Sequence, residues 1–104
     1  MTILTVFRSR LRPGVESQYE TLAAELSAIA KTMPGFLEEK SFTARDGERV
    51  TIVLFGDAES HAAWRDHPRH REAQVIGKTS LYTEYRVYSA EVDYTASLIT
   101  DAVS

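Results

Sequence analysis

Two stretches of the chain alternate apolar and polar residues, and two more are dense in β-branched and aromatic side chains. These patterns predict β-strands over Thr2–Arg12, Phe36–Ala44, Val50–Phe55 and Leu81–Tyr94. The dipeptide Asp46-Gly47 separates the second stretch from the third, and it favours a tight hairpin turn. We therefore expect the second and third strands to pair in antiparallel orientation.

A helical repeat fills the two longer gaps between these strands. Within Val15–Met33, apolar residues recur every three or four positions, which predicts one amphipathic helix that ends at Pro34-Gly35. A short helix is expected over Ala58–Arg65 and a second over Arg69–Ile76. Pro68 is expected to separate the two, because the residue before a proline avoids helical geometry.

The resulting order is β-α-β-β-α-β, which is typical of the ferredoxin-like fold of the α+β class. This fold has a four-stranded antiparallel sheet with helices on one face. The 104 residues suffice for one domain. We assign residues 1–94 to this domain, and residues 95–104 to a C-terminal tail or a short docking helix.

Apolar residues face both sides of the predicted strands. Leu4 and Phe7 point to opposite faces of the first strand, and Ile52 and Val53 to opposite faces of the third. A sheet with one solvated face alternates more cleanly than this. Because two helical segments cover only one face, we expect the other to pack against a second copy in a two-fold homodimer. The alternative is a monomer with its tail folded across that face.

Composition and charge narrow the functional classes. The chain carries a net charge of −3 and has no cysteine. The charge argues against a nucleic-acid partner, and the absence of cysteine excludes disulfides, thiolate metal sites and cysteine nucleophiles. No apolar run approaches the roughly 18 residues of a membrane helix. The N-terminal stretch lacks a basic region and a cleavage site. We therefore expect a cytoplasmic protein without a membrane partner.

Motifs for common cofactors are absent from the sequence. It contains no glycine-rich dinucleotide motif, no P-loop and no His-Glu-x-x-His. Ser9, Ser80 and Ser89 have no base in a recognisable local pattern, so we expect no serine nucleophile. No cofactor is expected.

Three histidines lie close to the only tryptophan, and they are the first candidates for chemistry. His61, His67 and His70 flank Trp64 in sequence, but no carboxylate motif completes a metal-ligand set, so no metal is expected. The simpler interpretation places His61 and His70 on the surface near a helix–helix corner. Trp64 is either a core anchor or a flat wall for an aromatic ligand.

A second group of candidates lies in the last strand. Tyr82 and Arg86 share a sheet face by the period of two, and an arginine beside phenols can hold a phenolate or enolate. The alternative is ordinary cross-strand packing. Phe7, Phe36 and Leu22 belong to a pocket or to the core, and the pattern does not separate these two possibilities.

Four segments together resemble the antibiotic biosynthesis monooxygenase domain family. They are Arg12-Pro13-Gly14 after the first strand, Met33-Pro34-Gly35-Phe36 after the long helix, Ala-Trp-Arg-Asp-His-Pro-Arg-His-Arg-Glu-Ala over residues 63–73, and Tyr-Thr-Glu-Tyr-Arg-Val over residues 82–87. The resemblance extends over residues 1–94 and implies a dimeric α/β barrel, in agreement with the two-sided sheet.

The resemblance implies more than one chemistry. One branch of the family oxidises aromatic polyketides such as anthrones with molecular oxygen and uses neither metal nor flavin. Another branch binds and degrades haem through an Asn, a Trp and a His ten residues after the Trp. In this chain those positions hold Phe7, Trp64 and Gln74, and the sequence has no Asn. Haem binding or degradation is therefore the weaker alternative.

The first branch implies roles for the candidate residues. His70 or His67 is expected to act as the base, because histidine titrates near neutral pH. Arg86 and Tyr82 are expected to stabilise the resulting anion. The expected substrate-binding residues are Trp64, Phe7, Phe36, Leu22 and Gln74. The rival hypothesis is a non-catalytic dimer that holds a small ligand in the same pocket.

Overall fold

The computed structural model of the chain describes residues 1–100 and confirms the ferredoxin-like fold. The strands are β1 (Ile3–Leu11), β2 (Phe36–Thr43), β3 (Arg49–Phe55) and β4 (Tyr82–Glu91). The helices are α1 (Glu16–Ala30), α2 (Ala58–Arg65) and α3 (Pro68–Ile76), and a π-helical turn (Gly77–Leu81) connects α3 to β4. The sheet is antiparallel throughout, in the order β2-β3-β1-β4.

The ends of α2 and α3 show how the sequence sets the helix boundaries. The side chain of Asp57 accepts a hydrogen bond from the backbone N–H of Ser60, which caps α2. The two helices are separate, as the sequence predicted, but α3 begins one residue earlier than expected, at Pro68, where a proline has no hydrogen bond to lose. His67 caps α3, because its Nδ1 accepts from the backbone N–H of Arg69 at 3.1 Å.

The chain after β4 has no regular structure within the described residues. Residues 92–100 form neither helix nor strand, and Leu98 and Ile99 are exposed. The predicted docking helix is therefore not seen over residues 95–100. The rest of the predicted tail, residues 101–104, lies outside the described residues.

One face of the sheet packs against the helices and forms the core. Ala30 of α1, Phe55 of β3 and Trp64 of α2 are buried together, and five partly buried neighbours surround them: Leu26, Ile29, Met33, Phe36 and Val53. The rings of Phe36 and Phe55 meet edge to face with centroids 5.9 Å apart. This contact answers a question that the sequence left open, because it places Phe36 in the core.

The opposite face of the sheet, which we call the open face, has no helix over it. Its centre is apolar and carries Leu4 and Val6 of β1 beside Ile52 and Leu54 of β3. At its edge, Arg8 binds the nearly buried Glu48 through two hydrogen bonds of 3.0 and 3.1 Å. Among residues 1–100, no helix combines the length and the apolar character needed to cross a membrane.

A register shift in β4 changes which side chains face the helices. Arg10 pairs with Glu84, but Leu11 pairs with Tyr82, so Thr83 is one extra residue in β4. Because of this bulge, Tyr82 joins Tyr85 on the helix side. The prediction that Tyr82 and Arg86 share a face is therefore wrong. Arg86 pairs with Arg8 and lies on the open face.

Candidate functional site

A cavity of about 470 Å³ lies between the sheet and the helices, and we call it the chamber. All four strands, the three helices and the π-helical turn contribute to its wall. Trp64 lines the chamber and also belongs to the core cluster, so the chamber lies beside the core. A concave, largely apolar space with a few polar groups is the usual form of a small-molecule site.

Four aromatic rings line one end of the chamber. The centroid of Phe7 lies 5.5 Å from that of Tyr82 and 5.9 Å from that of Tyr85, and Tyr19 of α1 lies 6.3 Å from Tyr82. These distances are typical of favourable aromatic pairs. The cluster provides flat apolar walls of the kind that an aromatic ligand requires.

The shape of this end depends on a glycine. A β-carbon added at Gly77 would lie 2.5 Å from Cε2 of Tyr82, so only glycine leaves room for this phenol ring. Burial, with a smaller effect from Tyr19, raises the pKa of Tyr82 above its ordinary value. Tyr82 therefore stays protonated near neutral pH and can donate a hydrogen bond.

Trp64 and His70 form the most compact group of the chamber. The two ring centroids are 4.7 Å apart, and both residues line the chamber. Trp64 is only 7% exposed and also belongs to the core cluster. The two interpretations of Trp64 offered by the sequence are therefore compatible, since one indole serves as both core anchor and chamber wall.

The hydrogen bonds of His70 define its reactive atom. Its Nδ1 lies 3.1 Å from the backbone carbonyl oxygen of Arg65, and the side-chain nitrogen of Gln74 lies 3.2 Å from the same atom. A carbonyl oxygen only accepts, so Nδ1 carries the hydrogen and donates it to Arg65, and the Gln74 nitrogen, itself a donor, is then a neighbour of Nδ1 and not its hydrogen-bond partner. The lone pair is then on Nε2.

Burial also sets the charge of His70. It lowers the pKa of the imidazole below its ordinary value, the Arg65 carbonyl opposes this by accepting a hydrogen bond, and His67 and His61 add smaller repulsive contributions. The ring is therefore neutral at pH 7. A neutral imidazole with a lone pair on Nε2 is a competent general base.

The other predicted binding residues divide between the chamber and its surroundings. Leu22 and Gln74 line the chamber together with Phe7. Phe36 does not line it, because its ring packs on Phe55 in the core. His67 is also outside the lining; it caps α3, and its ring centroid lies 5.8 Å from that of Trp64. Of the two predicted bases, only His70 reaches the chamber.

The cations of the chamber differ from the one that the sequence suggested. Arg86 is on the open face and does not line the chamber. Arg65 at the end of α2 and Lys78 in the π-helical turn line it instead, with Glu39 as the acidic residue of the wall. Lys78 forms no ion pair with any of the described residues. Periodicity carries no signal for either cation, because Arg65 is the last residue of α2 and Lys78 follows the end of α3.

A row of polar side chains crosses the chamber wall from α2 to β4. Nε2 of His61 lies 2.9 Å from Oγ1 of Thr5, which lies 2.7 Å from Oγ of Ser89. All three residues line the chamber. Burial, with a smaller contribution from Arg65, lowers the pKa of His61. His61 and His70 are both half-buried and line the chamber, so the surface interpretation is incomplete for both.

Among residues 1–100, no group of three or more histidines and carboxylates is arranged to hold a metal ion. The polar groups that line the chamber are imidazoles, hydroxyls, phenols, the Gln74 amide, the Glu39 carboxylate and the cations of Arg65 and Lys78.

Comparison with protein families gives a direct match. The model of the family described as antibiotic biosynthesis monooxygenase matches residues 2–75. The chain belongs to the antibiotic biosynthesis monooxygenase family. The matched range includes Trp64, His70 and every other chamber residue that precedes Lys78.

The individual proteins that this family member resembles have low sequence identity to it. The chain is 28% identical over 88 residues to the uncharacterized protein YqjZ of Bacillus subtilis (strain 168). The aligned region covers 85% of this chain and 77% of that protein. Among solved structures, Rv0793 from Mycobacterium tuberculosis matches with a TM-score of 0.82 at 16% identity, over 93% of this chain and all (100%) of the other.

A second solved structure is a mutant of SnoaB, a cofactor-independent oxygenase from Streptomyces nogalater. It matches this antibiotic biosynthesis monooxygenase family member with a TM-score of 0.77 at 17% identity, over 90% of this chain and 95% of the other. At these identities the two structures establish a common fold.

Proposed function

We propose that this protein is a cofactor-independent monooxygenase that oxidises a small phenolic, anthrone-type or quinol-type aromatic with molecular oxygen. The observation that carries the proposal is the pair of Trp64 and neutral His70 in an aromatic-walled chamber. Membership of the antibiotic biosynthesis monooxygenase family supports this class of reaction. The fold shared with SnoaB, a cofactor-independent oxygenase, agrees with it.

In the proposed reaction the substrate supplies all the electrons. For an anthrone, His70 first removes a proton from the methylene carbon and leaves an electron-rich enolate. The enolate carbon transfers electrons to oxygen and forms a carbon–oxygen bond, and the histidinium returns its proton to the new hydroperoxide. Loss of water then breaks the oxygen–oxygen bond and gives the ketone. The methylene carbon loses four electrons, and one oxygen molecule accepts all four.

The other residues of the chamber act on the enolate charge and on the ring. Arg65 and Lys78 supply positive charge in the chamber wall, and protonated Tyr82 supplies a hydrogen-bond donor. Trp64 and Phe7 provide flat surfaces for the ring. Arg86 has no part in this assignment, because it faces away from the chamber.

The first test is oxygen uptake in the presence of anthrone. We expect uptake above the rate in buffer, with one oxygen molecule consumed for each anthraquinone formed and one ¹⁸O atom incorporated from ¹⁸O₂. Binding of anthrone without uptake above the buffer rate would contradict the proposal and support the rival, a non-catalytic binding protein. Calorimetric titration of anthrone under nitrogen distinguishes these outcomes.

We further propose that two copies of the chain pair through the open face. An apolar centre of Leu4, Val6, Ile52 and Leu54 with a charged edge supports this arrangement. The resemblance to dimeric α/β barrels agrees with it.

Val6→Lys tests this pairing, because it places a charge at the apolar centre of the open face. We expect the wild-type chain to sediment as a dimer at micromolar concentration and the variant as a monomer. The matched control is Val75→Lys, because Val75 is 61% exposed on α3, away from the open face. A wild-type chain that sediments as a monomer would contradict the proposed pairing.

A further inference from the structure

The row of His61, Thr5 and Ser89 has a geometry that the proposed reaction does not use. Thr5 and Ser89 lie directly opposite each other on β1 and β4, and hydroxyl pairs of this kind are common in sheets. Ser41 and Thr51 form another such pair in the chamber wall, 2.7 Å apart. Only the Thr5–Ser89 pair continues to an imidazole.

The chain of hydrogen bonds can run in either direction. When Nε2 of His61 is unprotonated, Thr5 donates to it, Ser89 donates to Thr5, and the lone pairs of Ser89 can accept from a ligand hydroxyl. When Nε2 carries the hydrogen, His61 donates to Thr5, Thr5 to Ser89, and Ser89 can donate to a ligand carbonyl. Burial keeps the imidazole neutral, so both tautomers have the same charge.

Two groups of polar side chains lie on different walls of the chamber. His70 and Gln74 come from α3 in the helical layer, whereas Thr5 and Ser89 come from the sheet. A flat ring held between the layers can present one oxygen to each wall. The reversible row suits an oxygen that is a hydroxyl in one oxidation state and a carbonyl in the other.

We propose that Ser89, Thr5 and His61 form a second oxygen-binding subsite, which takes a ring hydroxyl or carbonyl of an aromatic ligand that carries at least two oxygens. The proposal rests on the proposed function only in taking the ligand to be an oxygenated aromatic. It assigns Ser89 as the group that contacts the ligand, and Thr5 and His61 as positioning residues that act through Ser89.

The test compares two naphthalenes that differ by one hydroxyl. The dissociation constants of 1,4-dihydroxynaphthalene and 1-naphthol are measured by calorimetry under nitrogen, and their ratio is the readout. We expect Ser89→Ala and Thr5→Val to reduce the preference for the diol, by about tenfold for a hydrogen bond worth about 1.4 kcal/mol. A purely structural role of Thr5 would weaken both ligands equally and leave the ratio unchanged.

Thr51→Val is the matched control, because it makes the same substitution on the same face of the neighbouring strand. It should leave the ratio at the wild-type value. A ¹⁵N NMR spectrum of the imidazoles supplies the second readout. We expect the diol to shift the resonance of His61 Nε2 in the wild type but not in Ser89→Ala.

Two results would overturn the subsite. One is an unchanged ratio in both Ser89→Ala and Thr5→Val, and the other is a His61 resonance that does not respond to the diol. Either can occur in a protein that consumes oxygen with anthrone, so failure of the subsite is distinct from failure of the proposed reaction. Conversely, a diol preference without oxygen uptake would support the subsite in a binding protein.

Discussion

His70→Ala is expected to lower the rate of oxygen uptake by about 10²–10⁴-fold, the usual contribution of a positioned general base. The loss should be in the catalytic rate, because Trp64 and Phe7 still offer their ring surfaces to the substrate. Initial rates with anthrone, corrected for the buffer rate, measure the effect. A variant with the wild-type rate would remove His70 from the mechanism and leave the base unassigned.

The control for this variant is the other histidine that the sequence suggested as a base. His67→Asn keeps a side chain that caps a helix well, so α3 should begin normally. We expect it to retain the wild-type rate, because His67 is outside the chamber lining. If His67→Asn lost as much activity as His70→Ala, the assignment of the base by chamber geometry would be wrong.

The pH profile gives a further test of His70. Only the neutral imidazole accepts a proton, and burial holds its pKa below the ordinary 6.5. The rate should therefore fall on acidification with a midpoint below pH 6.5, and level off as the pH rises above the midpoint. The free energy of unfolding should also decrease on acidification. The unfolded chain takes up the proton first as the pH falls below 6.5, so acid favours unfolding until the folded-state pKa is passed.

The fold was predictable because its signals are periodic and repeat along the chain. The two-residue alternation of β1, the β-branched run of β3 and the three-to-four repeat of α1 each extend over enough residues to predict the element type. The turn at Asp46-Gly47 and the prolines and glycines at the helix ends then set the order. The family resemblance rested on short segments in that same order, and the family match over residues 2–75 confirms it.

The site was less predictable because it depends on single residues. One extra residue in β4, Thr83, moves Tyr82 to the helix side and leaves Arg86 on the open face. Alternation alone carries no signal for such a bulge. Pro68 is a second such single residue. Because α3 begins at Pro68, His67 lies at the N-cap position and bonds the backbone N–H of Arg69, so it does not line the chamber.

The row of His61, Thr5 and Ser89 was missed for a different reason. Its three members are separated by 56 and 84 positions along the chain, so no local pattern connects them. The period of two places Thr5 on the same face as Phe7, and this was the one available signal. A hydroxyl on an inward face is also common in strands without function, so the signal becomes specific only when the imidazole is seen beside it.

Trp64→Ala is expected to lower the free energy of unfolding by about 3–5 kcal/mol, as for other large aromatic residues removed from a core. The indole is 7% exposed and packs with Ala30 and Phe55. Its removal leaves a void in the core that is continuous with the chamber, because Trp64 also lines the chamber. Urea unfolding followed by far-ultraviolet circular dichroism measures the effect without the tryptophan signal. An unchanged transition midpoint would contradict the assignment of Trp64 to the core.

The milder substitution Trp64→Phe separates the two roles of this residue. It keeps an apolar ring in the core, so the loss of stability should be smaller, while the reduced ring surface should weaken anthrone binding. Phe55→Leu is the matched control, because Phe55 is fully buried in the same cluster and does not line the chamber. It should lose stability but keep the affinity of the folded protein for anthrone. Equal affinities in both variants would mean that the indole supports the fold alone, and that the rings of Phe7, Tyr82 and Tyr85 hold the ligand without it.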